Sequence, residues 1–194
     1  MEKIELFPGL CLYLNVDKNR EETFFAMQYA ELPWQEALIA ESRYKEHRGK
    51  GLKEIRDADI VGIPRDLTGE EADGVRFLNG VIDKLFKECE KDFIESNSVS
   101  VKSREENYQL LRYTEGQFIV PHIDSTEEFP RKVTMVYYPN DDYTGGEIEF
   151  PNINMTLKPP ANSAVLFLAD SENFKHASRK VMSGTKYAVV ALWH

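Results

Sequence analysis

Two residues of the segment Y-T-E-G-Q-F-I-V-P-H-I-D (113–124), His122 and Asp124, are of the types that bind metal ions. One imidazole and one carboxylate form two thirds of the 2-His-1-carboxylate set that binds Fe(II) on one octahedral face and leaves the other positions open. The spacing helps if the segment is a β-strand, where alternate residues share a face. Phe118, Ile119 and Val120 within it, and Tyr108, Leu110 and Leu111 before it, favour a strand. A His-x-Asp pair is common by chance, so the chain must also supply a second histidine.

Three other histidines are available: His47, His176 and His194. His47 lies among charged loop residues, and His194 is the last residue, where chains fray. His176 follows His122 by several apolar runs, and a sheet that folds back on itself can return a late strand beside an early one. The expected triad is His122, Asp124 and His176. A cosubstrate such as 2-oxoglutarate, chelating through its 1-carboxylate and 2-keto oxygen, also needs a cation for its far carboxylate. Lys186 opens the last apolar run, K-Y-A-V-V-A-L-W. A lysine there is costly to bury unless paired, so it either meets an anion inside or sits at an exposed strand end.

Positioning these residues falls to the following elements. Residues 4–16 read as two apolar stretches about a Pro8-Gly9 turn. Asp17 to Ala30 reads as a helix capped by Asp17, with Phe24, Phe25, Met27 and Ala30 on its apolar side and Pro33 ending it. Residues 41–65 are basic, glycine-containing and aperiodic: a loop or weak hairpin, either a solvated surface or a flap over a site. Thr68 to Glu71 resembles a capping box. The helix after it carries Val75, Leu78, Val81, Ile82, Leu85, Phe86, Cys89 and Phe93 at helical spacing, a stripe that suits packing on a sheet. From Val99 onward come short strand-like runs at 108–113, 117–123, 133–138, 147–150, 154–157, 163–168, 179–182 and 186–193, separated by turn residues. The expected architecture is α+β: a double-stranded β-helix (jelly-roll) core with N-terminal helices packed on one sheet.

The 194 residues suit one domain, with residues 1–98 supporting a β-core over 99–194. The net charge of −9 opposes a nucleic-acid partner, despite the basic island. No apolar run approaches the about 20 residues that span a bilayer, and the N-terminal residues lack the long apolar core of a secretory signal. Cys11 and Cys89 read as two buried thiols and favour a reducing, cytoplasmic setting.

From about Leu110 to Trp193 the chain resembles the Fe(II)- and 2-oxoglutarate-dependent dioxygenases, most of all their prolyl 4-hydroxylase-like branch. Residues 113–124 are similar to Y-x-x-G-x-[FY]-x-x-x-H-x-D. V-T-M-V-Y-Y-P-N (133–140) resembles the next core strand, with Pro139 where a leucine is usual. G-G-E-I-E-F-P (145–151) resembles G-G-E-T-x-F-P. L-K-P-P-A-N-S-A-V-L-F (157–167) and H-A-S-R-K-V-M-S-G-T-K-Y (176–187) resemble the segments before and after the distal histidine. Departures are Phe118 near a position usually held by a hydroxyl-bearing aromatic, Asn162 for a glycine, Lys180 for a proline, and Trp193 one residue late.

The resemblance implies a single dioxygenase domain. His122, Asp124 and His176 would hold Fe(II), Lys186 would pair with the C5 carboxylate of 2-oxoglutarate, Tyr138 would hydrogen-bond that carboxylate, and Tyr113 would face it. For the tyrosines, the bland alternative is a pair of core aromatics. The expected reaction hydroxylates a C–H bond with O2, giving succinate and CO2, with ascorbate a further candidate cofactor. The expected substrate is a prolyl residue of a peptide or protein, with a free amino acid or other small molecule as the alternative. A reading of another class is a non-catalytic jelly-roll module that binds a ligand or a metal such as zinc.

Overall fold

In the computed structural model, the described residues are 1–37, 52–64, 66–69, 71, 73–105 and 107–194, with the side chains of Leu52 and Phe86 outside them. The N-terminal part contains β1 (Glu2–Phe7), β2 (Leu10–Leu14), α1 (Arg20–Tyr29), β3 (Gln35–Glu36), α2 (Leu52–Ile55), β4 (Arg56–Asp57), β5 (Asp59–Pro64) and α3 (Asp73–Asn97). The C-terminal part contains β6 (Asn107–Tyr113), β7 (Phe118–His122), β8 (Val133–Tyr138), β9 (Thr144–Gly145), β10 (Ile148–Phe150), β11 (Met155–Leu157), β12 (Ser163–Leu168), β13 (His176–Ser178), β14 (Val181–Ser183) and β15 (Lys186–Trp193).

The strands form a large sheet, ordered β1-β2-β12-β8-β15-β6-β5-β3, a smaller one, ordered β11-β10-β13-β7-β4, and a two-stranded ribbon of β14 and β9. Their ladders are antiparallel. Leu12, Val136, Tyr138, Val165 and Phe167 of the large sheet share an apolar cluster with Ile148 and Phe150 of the small one, so the two sheets pack face to face. This is the expected jelly roll. The other face of the large sheet is covered by α3, whose Val75, Leu78, Ile82, Leu85, Cys89 and Phe93 join Val61, Leu110, Met135, Leu166 and Val189 in one core. Each fully buried Leu, Ile or Phe here stabilises the fold by about 1.5–3 kcal/mol. Because both faces of β8 are covered, all six of its residues are buried. Val133, Met135 and Tyr137 look toward α3, while Val136 and Tyr138 look into the sandwich.

Several local expectations are corrected. Within the segment read as an aperiodic basic loop, α2, β4 and β5 are regular structure, and β5 pairs with β6 over six residues. The basic charges there masked an alternation that pairing with a buried strand enforces. Residues 38–51, with His47 and the first part of the proposed flap, lie outside the described residues. The capping-box motif does not cap α3: the Glu71 carboxylate accepts the Thr68 and Gly69 backbone N–H groups at 2.8 and 2.9 Å, closing a turn ahead of a helix that begins at Asp73. Asp17 likewise accepts the Asn19 N–H at 2.8 Å, before the helix starts at Arg20. On α1 the buried residues are Thr23 and Met27, whereas Phe25 is exposed. The structure adds β13, a three-residue strand containing His176 that lay outside the expected runs.

Candidate active site

The triad is assembled by register. His122, the last residue of β7, and His176, the first of β13, are Cα partners across one ladder. Their rings stand 4.3 Å apart between centroids. Asp124 lies just past the end of β7 in a bend, so strand alternation alone does not aim it. Its carboxylate is held instead by Thr134 of β8, whose hydroxyl donates to Oδ2 at 2.7 Å, and its carbonyl accepts from Arg131 Nη1 at 3.0 Å. Asp124 Oδ1 is 3.5 Å from His122 Nε2, and Oδ2 is 3.7 Å from His176 Nε2. One ligand atom from each of the three residues lies within 4.8 Å of the others, and all three residues are buried.

Both imidazoles are oriented by the backbone. His122 Nδ1 lies 3.0 Å from the Val120 carbonyl, and His176 Nδ1 lies 3.0 Å from that of Phe174. A carbonyl only accepts, so each Nδ1 carries the proton and each Nε2 presents its lone pair to the centre. The Phe167 ring stacks edge-on against His176 at 4.7 Å and fixes its plane. Two imidazole nitrogens and a carboxylate with hydrogen-bonded outer partners are a donor set that fits Fe(II).

Lys186 opens β15 directly opposite Tyr113 of β6. It is 2 % exposed. Its ammonium donates to the Gly146 carbonyl and the Ser178 hydroxyl, both at 2.7 Å. The rings of Tyr113 and Tyr138 flank it, 5.2 and 5.5 Å from Nζ. Burial pulls its pKa down to about 7, with Glu147 opposing from a distance. No carboxylate pairs with it among the described residues, so it is a buried cation poised for an anion from outside the chain. Burial also raises the pKa of both tyrosines, leaving their hydroxyls neutral donors. The six residues expected at the site, His122, Asp124, His176, Tyr113, Tyr138 and Lys186, line one cavity.

Sequence reasoning missed four polar residues. Thr134 and Arg131 hold Asp124, Ser178 holds Lys186, and Arg56 of β4 lines the cavity. Ser178 was the most legible of these, since it follows His176 by two positions in an extended segment. The other three have no local signal: strand pairing places Thr134 and Arg56, and Arg131, outside any strand, is placed by the way the chain returns from Asp124 to β8.

Three of the departures from the resembled pattern, Asn162, Phe118 and Lys180, have structural explanations. Asn162 adopts φ +62, the left-handed region that a glycine would enter freely and asparagine enters at low cost. Its side chain also accepts the Asp17 N–H at 2.7 Å and donates to the Asp17 carbonyl at 2.9 Å. Phe118 and Lys180 compensate each other: the ammonium sits 5.6 Å from the centre of the ring.

Residues 108–194 match the model of the 2OG-Fe(II) oxygenase superfamily. A candidate prolyl 4-hydroxylase of Acanthamoeba polyphaga mimivirus is 32% identical over 107 residues, 45% of this chain and 44% of that protein; the match thus spans under half the length of that relative. Among solved structures, a prolyl hydroxylase of Trichoplax adhaerens, in complex with a peptide fragment of the hypoxia inducible factor oxygen degradation domain, has a TM-score of 0.70 at 21% identity over 96% of this chain and 83% of that one. The viral collagen prolyl hydroxylase of Paramecium Bursaria Chlorella virus-1, in its 2OG complex, has a TM-score of 0.62 at 20% identity over 95% and 94%. At these identities the structural likeness is one of fold. The superfamily takes its name from its metal and cosubstrate, Fe(II) and 2-oxoglutarate, which the donor set and the buried lysine fit. The stretch similar to the 2OG-Fe(II) oxygenase superfamily, residues 108–194, contains all six of the candidate site residues.

Proposed function

We propose that this protein is a 2-oxoglutarate-dependent dioxygenase that hydroxylates a prolyl residue of a peptide or protein, releasing succinate and CO2. One observation carries the reading: a buried metal-ligand triad and a buried lysine with no carboxylate partner among the described residues line the same cavity. A metal-binding module without turnover has no use for the second feature. The prolyl substrate is suggested by the mimivirus relative and by the fold of the two hydroxylase structures.

In this reading His122, Asp124 and His176 hold Fe(II), which supplies the redox chemistry that couples oxidation of 2-oxoglutarate to hydroxylation of a C–H bond. The Nδ1–H bonds to Val120 and Phe174 fix both imidazoles in direction and aim each Nε2 at the centre. Lys186 receives the far carboxylate of 2-oxoglutarate, and the Tyr138 and Tyr113 hydroxyls donate toward it. Val136, Ile148, Ala188 and Leu192 line the same cavity and keep water out. The two sheets and α3 are proposed to act as one domain over 1–194.

The proposed compartment is cytoplasmic. Cys11 and Cys89 are free and buried, and burial pushes the Cys89 thiol up to about 12. No helix among the described residues is long and apolar enough to cross a membrane.

The test is to load purified protein with Fe(II) anaerobically, admit 2-oxoglutarate and oxygen, and measure succinate with and without proline-containing peptides. Peptide-stimulated succinate, with one added oxygen on the proline, is the expected result. Absence of succinate from folded, iron-replete protein would refute the oxygenase reading.

A further inference from the structure

Among the described residues that line the cavity, Arg56 is the one charged side chain that the proposed chemistry leaves without work. The charged side chains of the lining are Arg56, Asp124 and Lys186. Arg56 is 8 % exposed, and its buried Nε–H has no hydrogen-bond partner among the described residues. A buried guanidinium presents five donors and stays charged, so leaving it unpaired is costly. The neighbouring carboxylate, Asp57, is engaged elsewhere, accepting from Gln117 Nε2 at 3.1 Å. The Arg56 guanidinium lies close enough to the Tyr113 hydroxyl to act on it electrostatically.

Its place in the sheet sets its range. Arg56 is the Cα partner of Ile119, three residues before His122 on β7. At roughly 3.3 Å per residue this puts its backbone about 10 Å along the strand from the metal ligand, a gap that its long side chain shortens. Charge counting points the same way. A divalent metal and Asp124 together leave one positive charge, and Lys186 makes two. Dianionic 2-oxoglutarate cancels both. Among the described lining residues, Arg56 then remains as one uncompensated positive charge in a cavity of low dielectric.

We infer that Arg56 is a specificity-determining residue that takes a carboxylate of the substrate, either an acidic side chain next to the target proline or the carboxylate of a free amino acid. This rests on the oxygenase reading above. The carboxylate completes the guanidinium's hydrogen bonds, neutralises the loaded cavity and fixes the reacting C–H against the metal site.

The experiment compares acid and amide probes. Blocked peptides with Glu or with Gln beside the proline form one pair, and L-proline with L-prolinamide the other. Binding to protein loaded with Fe(II) and 2-oxoglutarate is measured calorimetrically without oxygen, and KM afterwards with oxygen. The expected result is that the wild-type protein prefers the acid by on the order of tenfold or more in one pair. The pair that shows it identifies the source of the carboxylate. Arg56→Met should reduce the ratio to about one, and Arg56→Lys should keep part of it. Equal binding of acid and amide, by protein that binds 2-oxoglutarate and forms succinate, overturns the assignment alone. So does an Arg56→Met variant that keeps the acid preference, or one whose only change is a raised KM for 2-oxoglutarate. Absence of 2-oxoglutarate binding and of succinate in the wild type overturns the oxygenase reading itself.

Discussion

Thr134 Oγ1 donates a hydrogen bond to Asp124 Oδ2 at 2.7 Å, joining the carboxylate of the triad to the central strand of the large sheet. Asp124 sits beyond the end of β7, so this bond does the aiming that strand geometry does for His122. Thr134→Val keeps the shape and removes the donor. Metal affinity should fall by about 10–100-fold, the range for losing an outer partner of a ligand. A Co(II) or Zn(II) binding isotherm checks this; unchanged affinity would show that Arg131 and the backbone suffice.

Lys186 gives a pH dependence with a defined sign. Burial lowers its pKa from an ordinary 10.5 to about 7. Between those values the unfolded chain holds a proton that the folded chain lacks, so the cosubstrate-free protein gains stability as pH rises through that window. Binding a dianion restores the proton. At pH 8, 2-oxoglutarate should therefore bind with uptake of close to one proton, and its affinity should weaken toward higher pH. Calorimetry in two buffers of different ionisation enthalpy measures the uptake. Lys186→Met should abolish it and weaken binding by about 100-fold.

Ser178 acts on the same site through Lys186. It accepts one ammonium proton at 2.7 Å, and the ammonium has no carboxylate to take its place among the described residues. Ser178→Ala should raise the Kd for 2-oxoglutarate by about fivefold, equivalent to roughly 1 kcal/mol for one hydrogen bond. Metal affinity measured on the same sample should stay at the wild-type value, which separates loss of the lysine's partner from damage to β13.

Asn162 should tolerate glycine better than alanine. Both substitutions lose the two bonds to Asp17, but only alanine must hold φ +62 with a Cβ and no compensating polar group. Asn162→Ala should be less stable than Asn162→Gly by about 1–2 kcal/mol. Urea unfolding of the two variants reads the difference directly.

Phe118 and Lys180 should show coupling in a double-mutant cycle. Their cation–π contact lies near the surface, where such pairs contribute about 0.5–1 kcal/mol. Additive effects of Phe118→Leu and Lys180→Met on thermal stability would mean that the two departures from the family pattern arose independently.

Much of the molecule was legible in the sequence because the signals were local. The stripe of α3 follows from helical spacing, and β6, β8, β12 and β15 from short apolar runs bounded by turn residues. The six expected site residues, His122, Asp124, His176, Tyr113, Tyr138 and Lys186, were named from residue type, spacing and motif order. Strand β13 was not legible, because three residues carry too little periodicity. β5 was hidden because its flanking charges resemble those of a loop.

What only the tertiary structure decided is how distant segments meet. The register of β7 on β13 makes His176 the partner of His122, and that of β15 on β6 sets Lys186 beside Tyr113. The ladder of β4 on β7 carries Arg56 into the same cavity. Thr134, Ser178 and Arg56 acquire their roles only from such pairings. A single polar residue on a strand has no pattern of its own, and its meaning is set by what the sheet brings within hydrogen-bond distance.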